Sequence, residues 1–157
     1  MGVEIERKFL VVGDAWRSEV TQATHIVQGY LASTPSLTLR VRIRGDQAYL
    51  TIKGSSHGIC RSEYEYEVPL ADAEAMLAEL AQGPVIDKVR HIVPIAGHSW
   101  EVDVFAGDNA GLVMAEVELA SDAEDVHLPA WAGEEVSDDS RYYNVNLAAN
   151  PFSRWAD

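Results

Sequence analysis

Cations are scarce in this sequence. Lysine and arginine together number 12 against 25 aspartates and glutamates, so the net charge at pH 7 is −13. Nucleic-acid and anionic-membrane surfaces need clustered lysine and arginine, so this composition argues against both kinds of partner. It does not exclude a small anionic ligand that is bound inside the protein.

Disulfides, membrane spans and common cofactor motifs are also missing. Cys60 is the single cysteine, so no internal disulfide can form, which fits a reducing compartment. No apolar run approaches the length of a membrane span, and the N-terminus does not read as a secretion signal. The five histidines lack zinc-ligand spacing, and there is no Walker loop, GxGxxG or GxSxG motif. We therefore expect a soluble cytoplasmic protein.

Alternation of polar and apolar residues dominates the sequence and predicts a mainly β protein, of α+β type, with a few helices. Its length of 157 residues suggests a single domain. Amphipathic helices are predicted over 71–82 and 140–149, with a short helical turn near 122–127. Eight strands in one small domain suggest a sandwich or a barrel, because closing a sheet removes its exposed edges. The predicted strands are 2–12, 24–33, 37–44, 47–54, 60–69, 85–94, 98–105 and 112–120.

Charged residues occupy alternate positions along most of these strands. Strand 37–44 carries only cations, at Arg40, Arg42 and Arg44, whereas strand 112–120 carries only acids, at Glu116 and Glu118. Side chains at i and i+2 lie on one face about 7 Å apart, so like charges repel unless a ligand of opposite sign lies between them. An antiparallel sheet with one wet face would show the same alternation.

The position of the lysines favours a charged interior over a wet surface. The chain has only three, Lys8, Lys53 and Lys88, and all three lie in these charged stripes. A charged barrel interior is costly without partners, but it is sensible if the lumen holds a divalent metal and a highly anionic ligand. Carboxylates suit Mg²⁺ or Mn²⁺, and arginine and lysine suit phosphate oxygens.

The stretch VEIERKFLV at 3–11 resembles the ExExK signature of the CYTH family, the triphosphate tunnel metalloenzymes. The ExExK signature alone is a weak signal of family membership, but the whole series of matching stretches given below is specific. The resemblance implies an eight-stranded antiparallel β-barrel that forms a tunnel. It also implies an enzyme that hydrolyses the terminal phosphoanhydride of inorganic tripolyphosphate with Mg²⁺ or Mn²⁺. The similarity continues, in order, through QGYL at 28–31, LRVRIR at 39–44, LTIKG at 50–54, SEYEYEV at 62–68, DKVRH at 87–91, EVDVF at 101–105, AEVEL at 115–119 and SRYYN at 140–144.

The resemblance also implies roles for individual residues. Lys8, Lys53 and Lys88 would be catalytic, with Lys8 holding the leaving diphosphate and either a glutamate or Lys88 activating the water. Asp103 would be either a metal ligand or a partner that holds a lysine. The other metal-side carboxylates would be Glu4, Glu6, Glu63, Glu65, Glu116 and Glu118. The phosphate side would comprise Lys8, Arg40, Arg42, Lys53, Lys88 and Arg90, with Arg44, Arg61 and Arg141 as further candidates.

Other functions are compatible with the same resemblance. Nucleoside triphosphates are expected as secondary substrates, and thiamine triphosphate hydrolysis and class IV adenylyl cyclisation are the alternatives within the family. A polyphosphate-binding module without turnover is the alternative from another class. Facing carboxylates argue for the enzyme, because a pure anion binder gains nothing from them. Family members often dimerise, so a homodimer is a further expectation.

Overall fold

The structure is a computed structural model and describes residues 2–155. The α-helices are α1 (Leu70–Leu80) and α2 (Asn144–Ala149), and short 3₁₀ turns lie at Ala15–Glu19, Gly107–Asn109, Ser140–Tyr142 and Phe152–Arg154. The strands are β1 (Val3–Val11), β2 (Gln22–Thr34), β3 (Leu37–Arg44), β4 (Gln47–His57), β5 (Cys60–Val68), β6 (Ile86–Ile95), β7 (His98–Phe105), β8 (Val113–Glu118) and β9 (Ala132–Glu135). Within this range, no helix is both long and apolar enough to cross a membrane.

The first eight strands form a closed antiparallel barrel, which confirms the predicted fold class. Their order is β5-β4-β3-β2-β6-β7-β8-β1, and β1 pairs back onto β5 to close the ring. The closing seam joins Val3 to Ser62 and Ile5 to Cys60. Strand β9 then pairs with the C-terminal half of β1, beyond the end of β5. The barrel strands therefore leave no long unpaired edge.

Apolar side chains lie largely outside the barrel wall, where other elements cover them. One cluster contains Phe9, Trp100 and Val102 and is covered by Trp16 and Trp131 from the connecting segments. A second lies between α1 and β3–β4, and its buried residues are Val41, Ala48 and Ala73. With the apolar faces turned outward, the period-two alternation turns the charged faces into the lumen.

A third apolar cluster closes one end of the barrel. Tyr30, Ile86 and Phe105 pack there against Leu147 and Ala148 of α2. The C-terminal segment therefore caps the apolar end of the barrel and leaves the rest of the lumen polar.

The structure departs from the predicted elements near the C-terminus. The predicted helix over 140–149 is interrupted, because Tyr143 has extended backbone angles between the 3₁₀ turn and α2. No helix forms over 122–127, where Glu124 N donates to Ser121 O in a single turn at 3.2 Å. Strand β9 was not predicted. Its sequence, AGEE, is short and lacks both β-branched residues and alternation, so only its pairing with β1 reveals it.

Gly29 of the QGYL stretch lies beneath α1. A Cβ atom at this position would be 2.8 Å from Leu77 Cδ2, 3.2 Å from Ala81 Cβ and 3.4 Å from Val85 Cγ1. The missing side chain thus lets the helix lie close to the strand. We expect Gly29→Val to lower the free energy of unfolding by about 1–3 kcal/mol through overpacking. Urea unfolding measures this loss. The control Ala23→Val, at an exposed position of the same strand, should be nearly neutral, and equal effects would contradict the packing argument.

Candidate functional site

The barrel encloses a polar cavity of about 210 Å³. Inward-facing positions of the barrel strands form its wall, and Ser137, Tyr143, Asn144 and Val145 from the C-terminal segment lie at one end. Most of the site residues predicted from sequence come together here. These are Glu4, Glu6, Lys8, Arg40, Arg42, Arg44, Lys53, Arg61, Glu63, Glu65, Arg90, Glu116 and Glu118.

Lys88 and Asp103 lie on the inner face of the barrel but are fully buried beneath the lining residue Arg90. Lys88 Nζ lies 2.8 Å from Asp103 Oδ2 and donates to Asn144 Oδ1 at 2.9 Å. Arg90 donates to both Asp103 oxygens at 2.8 Å. Two basic side chains therefore contact the buried Asp103 carboxylate, an arrangement that favours the role of a partner that holds a lysine.

The buried charges of this wall have shifted pKa values. Burial lowers the pKa of Lys88 to about 7, despite the attraction of Asp103. Burial opposes ionisation of Asp103, but Arg90 and Lys88 outweigh it and lower the pKa of its carboxyl. Asp103 thus stays ionised at neutral pH and fixes the position of Arg90.

Arg141 does not reach the cavity, so the structure does not support its predicted contact with substrate. Its guanidinium lies 2.7 Å from Asp139 and 5.0 Å from the centre of the Trp155 ring, and its side chain is 58% exposed. The extended backbone at Tyr143 separates Arg141 from α2. Arg141 therefore lies in the 3₁₀ turn and not on α2.

Two lysines of the lumen, Lys8 and Lys53, each lie between two carboxylates. Lys8 Nζ lies 2.9 Å from Glu116 and 3.1 Å from Glu6. Lys53 Nζ lies 2.9 Å from Glu4 and 3.5 Å from Glu63. Burial opposes the charge on Lys8, but Glu116 and Glu6 outweigh it and raise the pKa of the amine. Both amines are therefore held as internal counter-ions of the carboxylates.

The positive charges of two β3 arginines are less well neutralised by carboxylates than those of Lys8 and Lys53. Arg42 Nε donates to the amide oxygen of Gln28 at 2.7 Å, and no carboxylate among residues 2–155 forms a salt bridge with Arg42. Arg40 has only a distant carboxylate, Glu65 at 3.7 Å, and its buried Nε has no partner in the described part of the chain. Burial, Arg40 and Arg90 together lower the pKa of Arg42 to about 9. The β3 side of the lumen consequently holds positive charge that a bound anion would stabilise.

The carboxylates of the facing wall repel one another. Burial, Glu116 and Glu4 raise the pKa of Glu6 despite Lys8 and Lys53. Burial, Glu4 and Glu6 likewise raise the pKa of Glu118. These oxygens have the chemistry that Mg²⁺ and Mn²⁺ prefer, and a divalent cation would relieve their repulsion. In the described residues, however, no three such groups converge on one point, because the lysine amines lie among them.

Comparison with known proteins bears on what such a lumen does. The family model described as the CYTH domain matches residues 2–147. The chain belongs to the CYTH family. Two curated relatives are named inorganic triphosphatase. The relative from Acetivibrio thermocellus is 45% identical, with the alignment covering 100% of each chain. The relative from Nitrosomonas europaea is 40% identical, with 92% of this chain and 96% of that one covered.

A solved structure agrees with this family membership. The crystal structure of an inorganic triphosphatase is 38% identical and superposes with a TM-score of 0.66. The match covers 94% of this chain and 95% of the other. This CYTH chain therefore shares its fold with that enzyme over nearly its whole length.

Sequence reasoning did not assign a site role to several residues of the CYTH lumen. Glu101 lies 3.3 Å from Arg90; its alternation with Asp103 on β7 placed it in the charge pattern, but it was given no role. Gln28 faces the lumen in the same alternating register, but as a neutral residue it was not part of the charge pattern. Asn144 reaches Lys88 only through the tertiary position of α2, which no local sequence signal indicates.

Glu116 and Glu6 contact the same lysine but have opposite effects on stability. Burial opposes ionisation of Glu116, yet Lys8 and Arg90 lower its pKa well below 4.5, so its ionised form stabilises the fold at neutral pH. That contribution is lost as pH falls through the folded-state pKa. The pKa of Glu6 is raised, so its ionised form destabilises the fold above that pKa.

Without divalent metal at pH 7, we expect Glu116→Gln to cost about 3 kcal/mol of stability, because it breaks a buried pair. Glu6→Gln should instead stabilise the protein. Thermal unfolding in EDTA measures both effects, and the deficit of Glu116→Gln should shrink when the pH is lowered below 4.5. A matching loss of stability in the two variants would refute this assignment of charges.

Proposed function

We propose that the protein hydrolyses the terminal phosphoanhydride of inorganic tripolyphosphate with the help of Mg²⁺ or Mn²⁺. The observation that carries the proposal is the under-neutralised pair of guanidiniums, Arg40 and Arg42, in the same enclosed lumen as a wall of carboxylates. The names of the relatives at 45% and 40% identity support it.

The cationic wall would bind the phosphate chain. Guanidinium groups offer planar, bidentate donors to phosphate oxygens, and Arg42 and the Nε of Arg40 have donor capacity that no carboxylate within residues 2–155 takes up. Fixed positive charge in an enclosed site stabilises negative charge that develops on transferring and leaving groups. Lys8, between the acidic wall and the lumen, would hold the leaving diphosphate.

The carboxylate wall would hold the divalent cation, through Glu4, Glu6, Glu63, Glu65, Glu116 and Glu118. When bound, such a cation neutralises phosphate oxygens and lowers the pKa of a coordinated water. Glu101 is not among these carboxylates; its ion pair in the described part of the chain is with Arg90 at 3.3 Å, and burial above all raises its pKa. A carboxylate of this kind is suited to accept a proton from the attacking water.

Lys88 would act as a positioning residue. Its amine has no exposed surface and shares Asp103 with Arg90. Because Asp103 contacts both cations, Lys88 holds the carboxylate that orients the Arg90 guanidinium toward the lumen. The sequence prediction of direct catalysis by Lys88 is thus replaced by this indirect role in the proposal.

The lining of the cavity favours an inorganic substrate. Charged side chains make up most of this lining, and apolar side chains are few. A tripolyphosphate adds no base or thiazolium group that would need further apolar contacts. Thiamine triphosphate, nucleotides and cyclisation are therefore the weaker alternatives. The homodimer and the cytoplasmic location stay predictions.

We expect the purified protein to release phosphate from tripolyphosphate with Mg²⁺ or Mn²⁺ but not with EDTA. Release from ATP and thiamine triphosphate, assayed in parallel, should be slower because the charged lining offers few apolar contacts to an organic group. Metal-dependent binding of tripolyphosphate without any turnover would contradict the proposal and favour a binding module.

The role of the β3 arginines is testable in the same assay. Arg42→Met should lower kcat/KM for tripolyphosphate by roughly 10–100-fold, which corresponds to losing a hydrogen bond to a charged group. Arg17→Gln, which removes an exposed cation near Trp16 on the outer surface, is the control and should leave kcat/KM unchanged. A near-normal kcat/KM for Arg42→Met would rule out phosphate binding by Arg42.

A further inference from the structure

We propose that Lys53 competes with the divalent metal for the metal-side carboxylates. Its amine occupies these carboxylates until an anionic substrate draws the amine away. This inference rests on the proposed function, because it assumes that the carboxylate wall binds a divalent cation. It adds that uptake of metal and uptake of triphosphate are coupled through an amine of the protein itself.

The Lys53 ammonium contacts carboxylate oxygens in the way that a bound metal cation would. Its Nζ lies 3.0 Å and 2.9 Å from the two carboxylate oxygens of Glu4 and 3.5 Å from Glu63 Oε2. Lys53 and Glu63 also face each other directly in the β4–β5 register, so backbone pairing holds the amine near this carboxylate. The ammonium therefore lies where a divalent cation bound to Glu4 and Glu63 would need to be.

The enclosed position makes this competition strong. Only 13% of the Lys53 side chain and 13% of the Glu4 side chain is exposed. Ion pairs with little solvent contact are screened less than surface pairs, so an ammonium and a divalent cation cannot share these oxygens without strong repulsion. Metal binding must therefore displace the Lys53 amine from Glu4.

An anion in the lumen lowers the cost of that displacement. Arg40 and Arg42 line the same lumen, so an ammonium displaced from Glu4 within it would lie among further positive charges. Phosphate oxygens at the cationic wall would give the amine a new partner. Each ligand thus favours binding of the other, and this coupling is reciprocal.

Arg42 provides a matched control. It contributes one positive charge to the same lumen, as Lys53 does, but its Nε is held by Gln28 and no described carboxylate forms a salt bridge with it. Removing Arg42 changes the charge of the cavity by the same amount without freeing a metal ligand. Direct contact between metal and phosphate also favours joint binding, but it contributes nothing when no phosphate compound is present.

The test is Mn²⁺ binding without phosphate compounds, measured by calorimetry and by the electron paramagnetic resonance signal of free Mn²⁺. We expect Lys53→Met to bind Mn²⁺ at least about tenfold more tightly than wild type, and Arg42→Met to stay within about threefold. Lys53→Gln, which keeps a polar side chain, should also bind more tightly. Thermal unfolding checks that each variant folds, and Mn²⁺ should raise the Tm of Lys53→Met more than that of wild type.

Unchanged or weaker Mn²⁺ binding by both folded Lys53 variants would overturn the inference. An equal gain in Arg42→Met would also overturn it, because general charge would then explain the effect. Neither result bears on the proposed hydrolysis, which phosphate release by the wild-type protein tests separately.

Discussion

Charge balance across the lumen is the constraint on which the rest of the structure depends. Lys8 and Lys53 lie between glutamates of β1, β5 and β8, and a charge in this enclosed space is costly unless an opposite charge is near. The closed barrel makes that balance possible. Side chains at alternate positions of neighbouring strands come within a few ångströms of one another, although they are far apart in the sequence. An open sheet would let the same charges face water and would leave them no reason to be sorted by strand.

This constraint also explains why the apolar residues lie outside the barrel wall. A lumen filled with charged side chains cannot serve as a hydrophobic core, so the free energy of burial must come from the outer faces of the strands. Trp16 and Trp131 cover one outer face, α1 covers another, and α2 closes the apolar end. The connecting segments are therefore structural parts of the core. The close approach of α1 to Gly29 shows how tightly such a cover packs.

The sequence predicted what depends on local alternation and missed what depends on tertiary position. Barrel strands and lumen-facing charges follow from a period of two, which the paired strands keep except at the register shifts between Tyr30 and Ala32 and between Lys53 and Ser56. The same pattern cannot show depth, so it did not reveal that Lys88 and Asp103 pair beneath Arg90, on the inner face but fully buried. It also could not foresee the extended Tyr143, which directs Arg141 to the surface, or β9, which exists only through its contact with β1.

The acidic exterior adds a reason for concentrating the cations inside. With a net charge of −13, the protein repels a free polyphosphate at a distance. Salt screens this repulsion beyond about 8 Å at physiological ionic strength, so it acts mainly close to the protein surface. A polyphosphate that carries a divalent cation has less negative charge and meets less repulsion there. Inside, Arg40 and Arg42 supply the attraction that the surface lacks. The division between an acidic surface and a cationic inner wall therefore favours metal-complexed anions small enough to enter and disfavours large polyanions that would have to bind outside.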